Sequence, residues 1–114
     1  MVLQSTRREI GDISVLDISG KITLGEGSAT IRRVIRELID SGQRKIVLNL
    51  EDVDYIDSSG IGELVAAHSL VETAQGELKL LNLTRRVRDI LQITRLFTIF
   101  DVETDEATAL RNFQ

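Results

Sequence analysis

The stretch IVLNLEDVDYIDSSGIGEL, residues 46–64, decides the fold. It opens on an apolar run, passes an acidic turn, reaches two serines and enters a helix through two glycines. Residues 45–50 read as a buried strand. A helix is expected from Ser58 or Ser59 to Ala74, ending near Gly76, with Leu64, Ala67, Val71 and Ala74 as its inward stripe. Asp57-Ser58-Ser59-Gly60 falls at the junction of strand and helix. A helix start carries unpaired N–H groups and partial positive charge, so it tolerates a phosphate. Gly60 and Gly62 both sit in the opening of this helix, where each costs about 1 kcal/mol relative to alanine. Their presence points to a second backbone, or a nucleotide, coming close to Ser58.

Outward from this stretch, residues 2–9 and 12–19 read as two strands joined at Gly11-Asp12, which implies an antiparallel start. Gly25-Glu26-Gly27 then punctuates the chain, and Ser28 is the expected N-cap of a helix over residues 29–41. Ile31, Val34, Ile35, Leu38 and Ile39 form its apolar face. Residues 77–83 read as a strand, and Thr84 as the cap of a helix with Val87, Ile90, Leu91 and Thr94 inward. A short strand over 97–102 follows, then a helix capped by Thr104 with Ala107, Leu110 and Phe113 on one face. Strands alternating with helices of crossover length give an α/β class and parallel pairing in the later part.

Composition narrows the function. Fourteen basic against eighteen acidic residues leave a net charge of −4, which lacks the electrostatic footprint of general nucleic-acid binding. Without cysteine there is no disulfide, thiolate or Cys-based zinc chemistry, and a lone histidine builds no multi-histidine metal site. No signal-peptide pattern opens the chain, and no apolar run nears the roughly 20 residues that span a bilayer. A cytoplasmic domain with no membrane contact, no metal and no cofactor is expected.

Each candidate residue also has a plainer reading. Ser58 is either a phosphoacceptor or a helix N-cap, with Ser59 as the fallback for both roles. Asp57 orients the seryl hydroxyl, helps to cap the helix, or is simply a turn aspartate. Glu63 is a rim contact or a solvated helix charge. Gly25-Glu26-Gly27-Ser28 lacks the Lys-Ser/Thr ending of a phosphate loop and reads as a loop before a helix. His68 reads as a core-edge histidine, and Arg85-Arg86-Val87-Arg88 as a solvated helix face with Val87 inward. An enzyme using Ser58 as nucleophile needs a base, and His68 lies about 15 Å of helical rise away at 1.5 Å per residue.

Asp57-Ser58-Ser59-Gly60-Ile61-Gly62, with the preceding Ile46-Val47-Leu48-Asn49-Leu50-Glu51-Asp52-Val53, closely resembles the STAS domain family, in particular bacterial anti-sigma factor antagonists. Gly20, Gly76-Glu77-Leu78, Leu91-Gln92-Ile93-Thr94 and Leu96-Phe97 match in the family's order, so the resemblance covers nearly the whole chain. It implies a single α/β domain over residues 1–114, a mixed β-sheet with α-helices packed mainly on one face. It also implies partner switching. An unphosphorylated antagonist binds an anti-sigma factor that is also a serine kinase of the GHKL ATPase type, and the sigma factor is released. Phosphorylation of the antagonist breaks the contact, and a serine phosphatase resets the cycle. In this scheme Ser58 is the phosphoacceptor and substrate rather than a catalyst. Asp57, Ser58, Ser59, Gly60, Ile61, Gly62 and Glu63 form the partner surface, joined by the loop around residues 20–27. Thr23 stands where an aspartate is frequent in the family. That departure keeps a second role open, as an interaction module in a stress-signalling scaffold or a transporter complex.

Overall fold

The computed structural model describes residues 3–113. Nine elements follow in order: β1 (Gln4–Ile10), β2 (Ile13–Ile22), α1 (Glu26–Asp40), β3 (Lys45–Ile56), α2 (Ser58–Thr73), β4 (Glu77–Leu81), α3 (Arg85–Ile93), β5 (Asp101–Glu103) and α4 (Glu106–Arg111). The expected first strand began at Val2, which lies outside the described residues. The strands line up in sequence order, β1-β2-β3-β4-β5. β1 is antiparallel to β2, and the other pairs are parallel. The mixed α/β architecture is therefore as expected.

Alternation along the strands splits the apolar residues between two faces. Leu16, Ile18, Ile46, Leu48, Leu50, Leu78 and Leu80 meet Ile31, Ile35 and Leu38 of α1, Ile61, Leu64, Ala67 and Val71 of α2, and Val87 and Leu91 of α3. The other face buries Ile13, Val15, Val47 and Leu81 under Ala109 of α4, with Leu110 and Phe113 packed alongside. Three helices thus cover one face and one short helix the other.

β3 is where the structure departs most from the sequence reading. It runs on to Ile56 through the segment read as an acidic turn. Its register against β2 slips twice: Asp17 pairs Asn49 but Ser19 pairs Asp52, and Gly20 pairs Val53 but Lys21 pairs Tyr55. Each slip inserts one extra residue in β3, a bulge that reverses which side chains face inward. Hence the buried positions step from Leu50 to Val53 to Ile56 rather than alternating. β4 pairs β3 only as far as Asn49, so the bulged end of β3 projects with β2 beyond the rest of the sheet.

Several boundaries shift for local reasons. α1 starts at Glu26 behind Gly25, whose φ of 96° suits glycine, so Ser28 lies inside the first turn and is not the cap. Ser28 instead sends its N–H and its hydroxyl to the Thr23 carbonyl at 3.1 and 2.9 Å. β5 is limited to Asp101–Glu103. The Leu91 carbonyl takes the N–H groups of Leu96 and Phe97, which draws the preceding segment into turns. Asp105, not Thr104, caps α4 by accepting the Thr108 N–H at 2.9 Å. Ala109 rather than Ala107 faces the sheet. In α3, Val87 and Leu91 are buried, whereas Thr94 is exposed.

Candidate functional site

The bulged end of β3 delivers the chain to the start of α2. Asp57 keeps extended backbone, with φ −114° and ψ −174°, and its carboxylate accepts the Gly60 N–H at 2.9 Å. It is the N-cap of α2, and its carbonyl accepts the Ile61 N–H at 3.0 Å. Asp57 thereby takes the task that a serine here would otherwise perform. Ser58 is the first helical residue and is exposed; Ser59 is half-buried. Neither hydroxyl bonds another described residue.

The two glycines behave differently. A Cβ on Gly60 would lie 2.1 Å from the Ile22 carbonyl oxygen and 2.7 Å from Ile56 Cγ1. The close approach foreseen there is to the chain's own β2, whose end is pinned against the start of α2. The Asp57 N–H also points at the Ile22 carbonyl, at 3.4 Å. At Gly62 a Cβ would meet nothing within 4 Å, and this residue is exposed.

Glu63 corrects the sequence reading. Expected as a rim or solvated charge, it is only 5% exposed. Arg32 of α1 donates to it through Nη2 at 2.7 Å and Nε at 3.3 Å. Glu63 in turn holds the Arg32 guanidinium above its ordinary pKa. Ile61, also expected at the partner surface, is 4% exposed and belongs to the core. The outward groups of the motif are therefore Ser58, Gly62 and part of Ser59. Asp57, Gly60, Ile61 and Glu63 fix their position from below.

Beside this turn, Lys21 stands 3.7 Å from Asp54 and 5.5 Å from the Tyr55 ring centre. Arg86 lies over the same ring at 4.2 Å. The Arg85-Arg86-Val87-Arg88 run thus has Val87 inward, with Arg86 and Arg88 laid over Tyr55 and Phe97. His68 is half-buried, edge-on to Phe100 at 5.5 Å, as a core-edge histidine. Among the described residues no three His, Asp or Glu side chains gather as a metal would need, and no helix is long and apolar enough to cross a membrane. The loop from β2 to α1, part of the stretch 20–27 expected to join the partner surface, leaves Leu24 79% exposed, a residue that the sequence reading did not single out. A leucine between Thr23 and Gly25, off every apolar stripe, was the available signal.

The sequence profile of the STAS domain matches residues 4–109. The chain belongs to the STAS domain family. Among its STAS relatives is the anti-sigma-B factor antagonist of Bacillus subtilis, 34% identical over 91 residues, which are 80% of this chain and 81% of that protein. An anti-sigma factor antagonist from Mycobacterium paratuberculosis shares the fold with a TM-score of 0.85 at 18% identity, over 97% of this chain and 93% of that one. The phosphorylated form of the Bacillus cell fate determinant SpoIIAA superposes with a TM-score of 0.74 at 23% identity, over 95% and 97% of the two chains. The bulged β3 and capped α2 described above are thus parts of a STAS domain.

Proposed function

We propose that this STAS domain is an anti-sigma factor antagonist, regulatory rather than catalytic, that docks through the Ser58 turn and is switched off by phosphorylation of Ser58. The observation that carries this reading is the division of labour at the helix start. Asp57 caps α2, and the Ser58 hydroxyl is left exposed and without an internal partner. The relatives' names supply the partner class, an anti-sigma factor. The partner is also the kinase, of the GHKL ATPase type, and both act in the cytoplasm. In the transfer, Ser58 Oγ bonds to the γ-phosphorus of ATP held by the kinase. ADP leaves, and the hydroxyl proton passes to a base of the kinase. A serine phosphatase returns the hydroxyl by hydrolysis.

The added group carries about −1.5 to −2 charges at neutral pH. In the free protein it faces water and the positive end of α2, so the fold tolerates it. A partner packed over Ser58 would have to strip its hydration beside Asp57, and binding is lost. The test is to incubate the chain and ATP with each purified GHKL-type anti-sigma factor encoded by the same genome, and to map phosphate by mass spectrometry. A single phosphate is expected at Ser58, absent in Ser58→Ala and retained in Ser59→Ala. Phosphate at another residue, or none with any of the kinases, would overturn the reading.

A further inference from the structure

Leu24 is the most exposed large apolar side chain at the end of the sheet that carries Ser58. Only Ile10, Leu24, Ile93 and Ile99 are exposed large hydrophobics among the described residues, and Leu24 and Ile93 stand out at 79% and 81%. A single exposed leucine is ordinary on a protein surface and by itself means little. Its setting is what distinguishes it.

The loop that carries Leu24 is held on both sides. The Thr23 carbonyl accepts the Ser28 N–H and hydroxyl at 3.1 and 2.9 Å, and the Gly25 carbonyl accepts the Ala29 N–H at 2.9 Å. Gly27 fits so closely that a Cβ there would lie 2.8 Å from the Lys21 carbonyl oxygen. The Ile22 carbonyl is wedged against Gly60. The β2–α1 loop and the Ser58 turn are therefore one fixed unit, with Leu24 two residues from the contact point on one side and Ser58 two residues from it on the other. The backbone that presents Leu24 is already ordered, so binding has only the side chain left to fix, which suits an interface anchor. From Ile22 to Gly25 the loop carries no charge, so it has no ion pair to offer a partner.

Resting on the function proposed above, we propose that Leu24 is the apolar anchor of the partner interface. The anti-sigma factor presents an apolar pocket to the β2–α1 loop, beside the surface that covers Ser58. Ile93 provides the internal control. The parallel strands all run one way, so the end of α3 lies where they begin and Leu24 lies where they finish.

The experiment is calorimetric titration of the unphosphorylated full chain into each purified GHKL-type anti-sigma factor of the same genome. Wild type, Leu24→Ala, Leu24→Met, Ile93→Ala and Ser58→Asp are compared. Leu24→Ala is expected to weaken binding about 10- to 100-fold, the range for losing one well-buried apolar side chain. Leu24→Met, similar in volume, should stay within about threefold, and Ile93→Ala should match wild type. Wild-type affinity for Leu24→Ala, while Ser58→Asp abolishes binding, overturns the anchor and leaves the proposed function standing. Equal loss from Ile93→Ala overturns the anchor as well. Binding unaffected by both Ser58→Asp and Leu24→Ala, or no binding of wild type to any of these proteins, overturns both.

Discussion

Alanine at Gly60 and alanine at Gly62 should move stability in opposite directions, although the positions are two residues apart on one helix. Helix propensity alone favours either change by about 1 kcal/mol. At Gly62 nothing lies within 4 Å of the new methyl group, so most of that gain is kept. At Gly60 the methyl carbon would sit 2.1 Å from the Ile22 carbonyl oxygen, and within 3 Å of side-chain carbons of Ile56 and Ile22. The obstacle is β2 backbone and cannot swing aside. Relief requires α2 to lift from the sheet, an overpacking cost of about 3 kcal/mol, the upper part of the usual range. Net, Gly60→Ala is expected to destabilise by about 2 kcal/mol, and Gly62→Ala to stabilise by about 0.5–1 kcal/mol. Urea unfolding followed by circular dichroism reads the difference. With a slope of about 1.5–2 kcal/mol per molar urea, the two midpoints should differ by about 1–2 M. Equal midpoints, or a Gly60→Ala midpoint above wild type, would refute the claim that Gly60 is reserved for β2.

The cap predicts that Asp57→Ala lowers stability by about 1 kcal/mol, whereas Asp57→Ser, which can still accept the Gly60 N–H, recovers most of it. Thermal melts of the two variants compare them, and equal losses would mean that the carboxylate caps nothing. Arg32→Ala strips Glu63 of its hydrogen-bond partner inside the fold and should cost about 1–3 kcal/mol. A double-mutant cycle with Glu63→Gln should show the two residues coupled, and additive effects would contradict the pair. Asp17 is held below the ordinary carboxylate range, first by its hydrogen bonds from Arg8 and then by Asn49. A depressed folded-state pKa stabilises above the unfolded value, about pH 4, and that support fades as pH falls through the folded value. Asp17→Asn should therefore melt below wild type near neutrality, with a gap that closes toward pH 2. A gap constant with pH would exclude this linkage.

The helices were legible because their apolar faces recur with helical spacing, as Ile31, Ile35 and Leu38 do in α1. The first half of β3 was legible for the same reason, with Ile46, Leu48 and Leu50 alternating. Its second half was not. Two bulges change the phase at Leu50-Glu51 and again at Asp54, and bulges are set by pairing with β2, which a local pattern does not contain. The helix starts were misjudged at Ser28 and Thr104, where a residue that looks like a cap stands one to three positions from the one that acts. At the site, the glycine signal was legible but its source was not. Gly60 answers to Ile22, distant in sequence, whereas Gly62 faces open space. Glu63 could not be placed from the chain alone, because Arg32, on another helix, is what makes its burial tolerable.

On the function proposed here, phosphate on Ser58 should abolish docking without disturbing the fold. The most direct measurement compares the unphosphorylated chain with the chain phosphorylated at Ser58 for affinity to the anti-sigma factor and for melting temperature. Affinity should fall by about 100-fold or more, the loss expected for burying a charge without a partner, with melting within about 2 °C of the unphosphorylated chain. Equal affinities of the two forms, or a loss of affinity that comes with unfolding, would contradict the account.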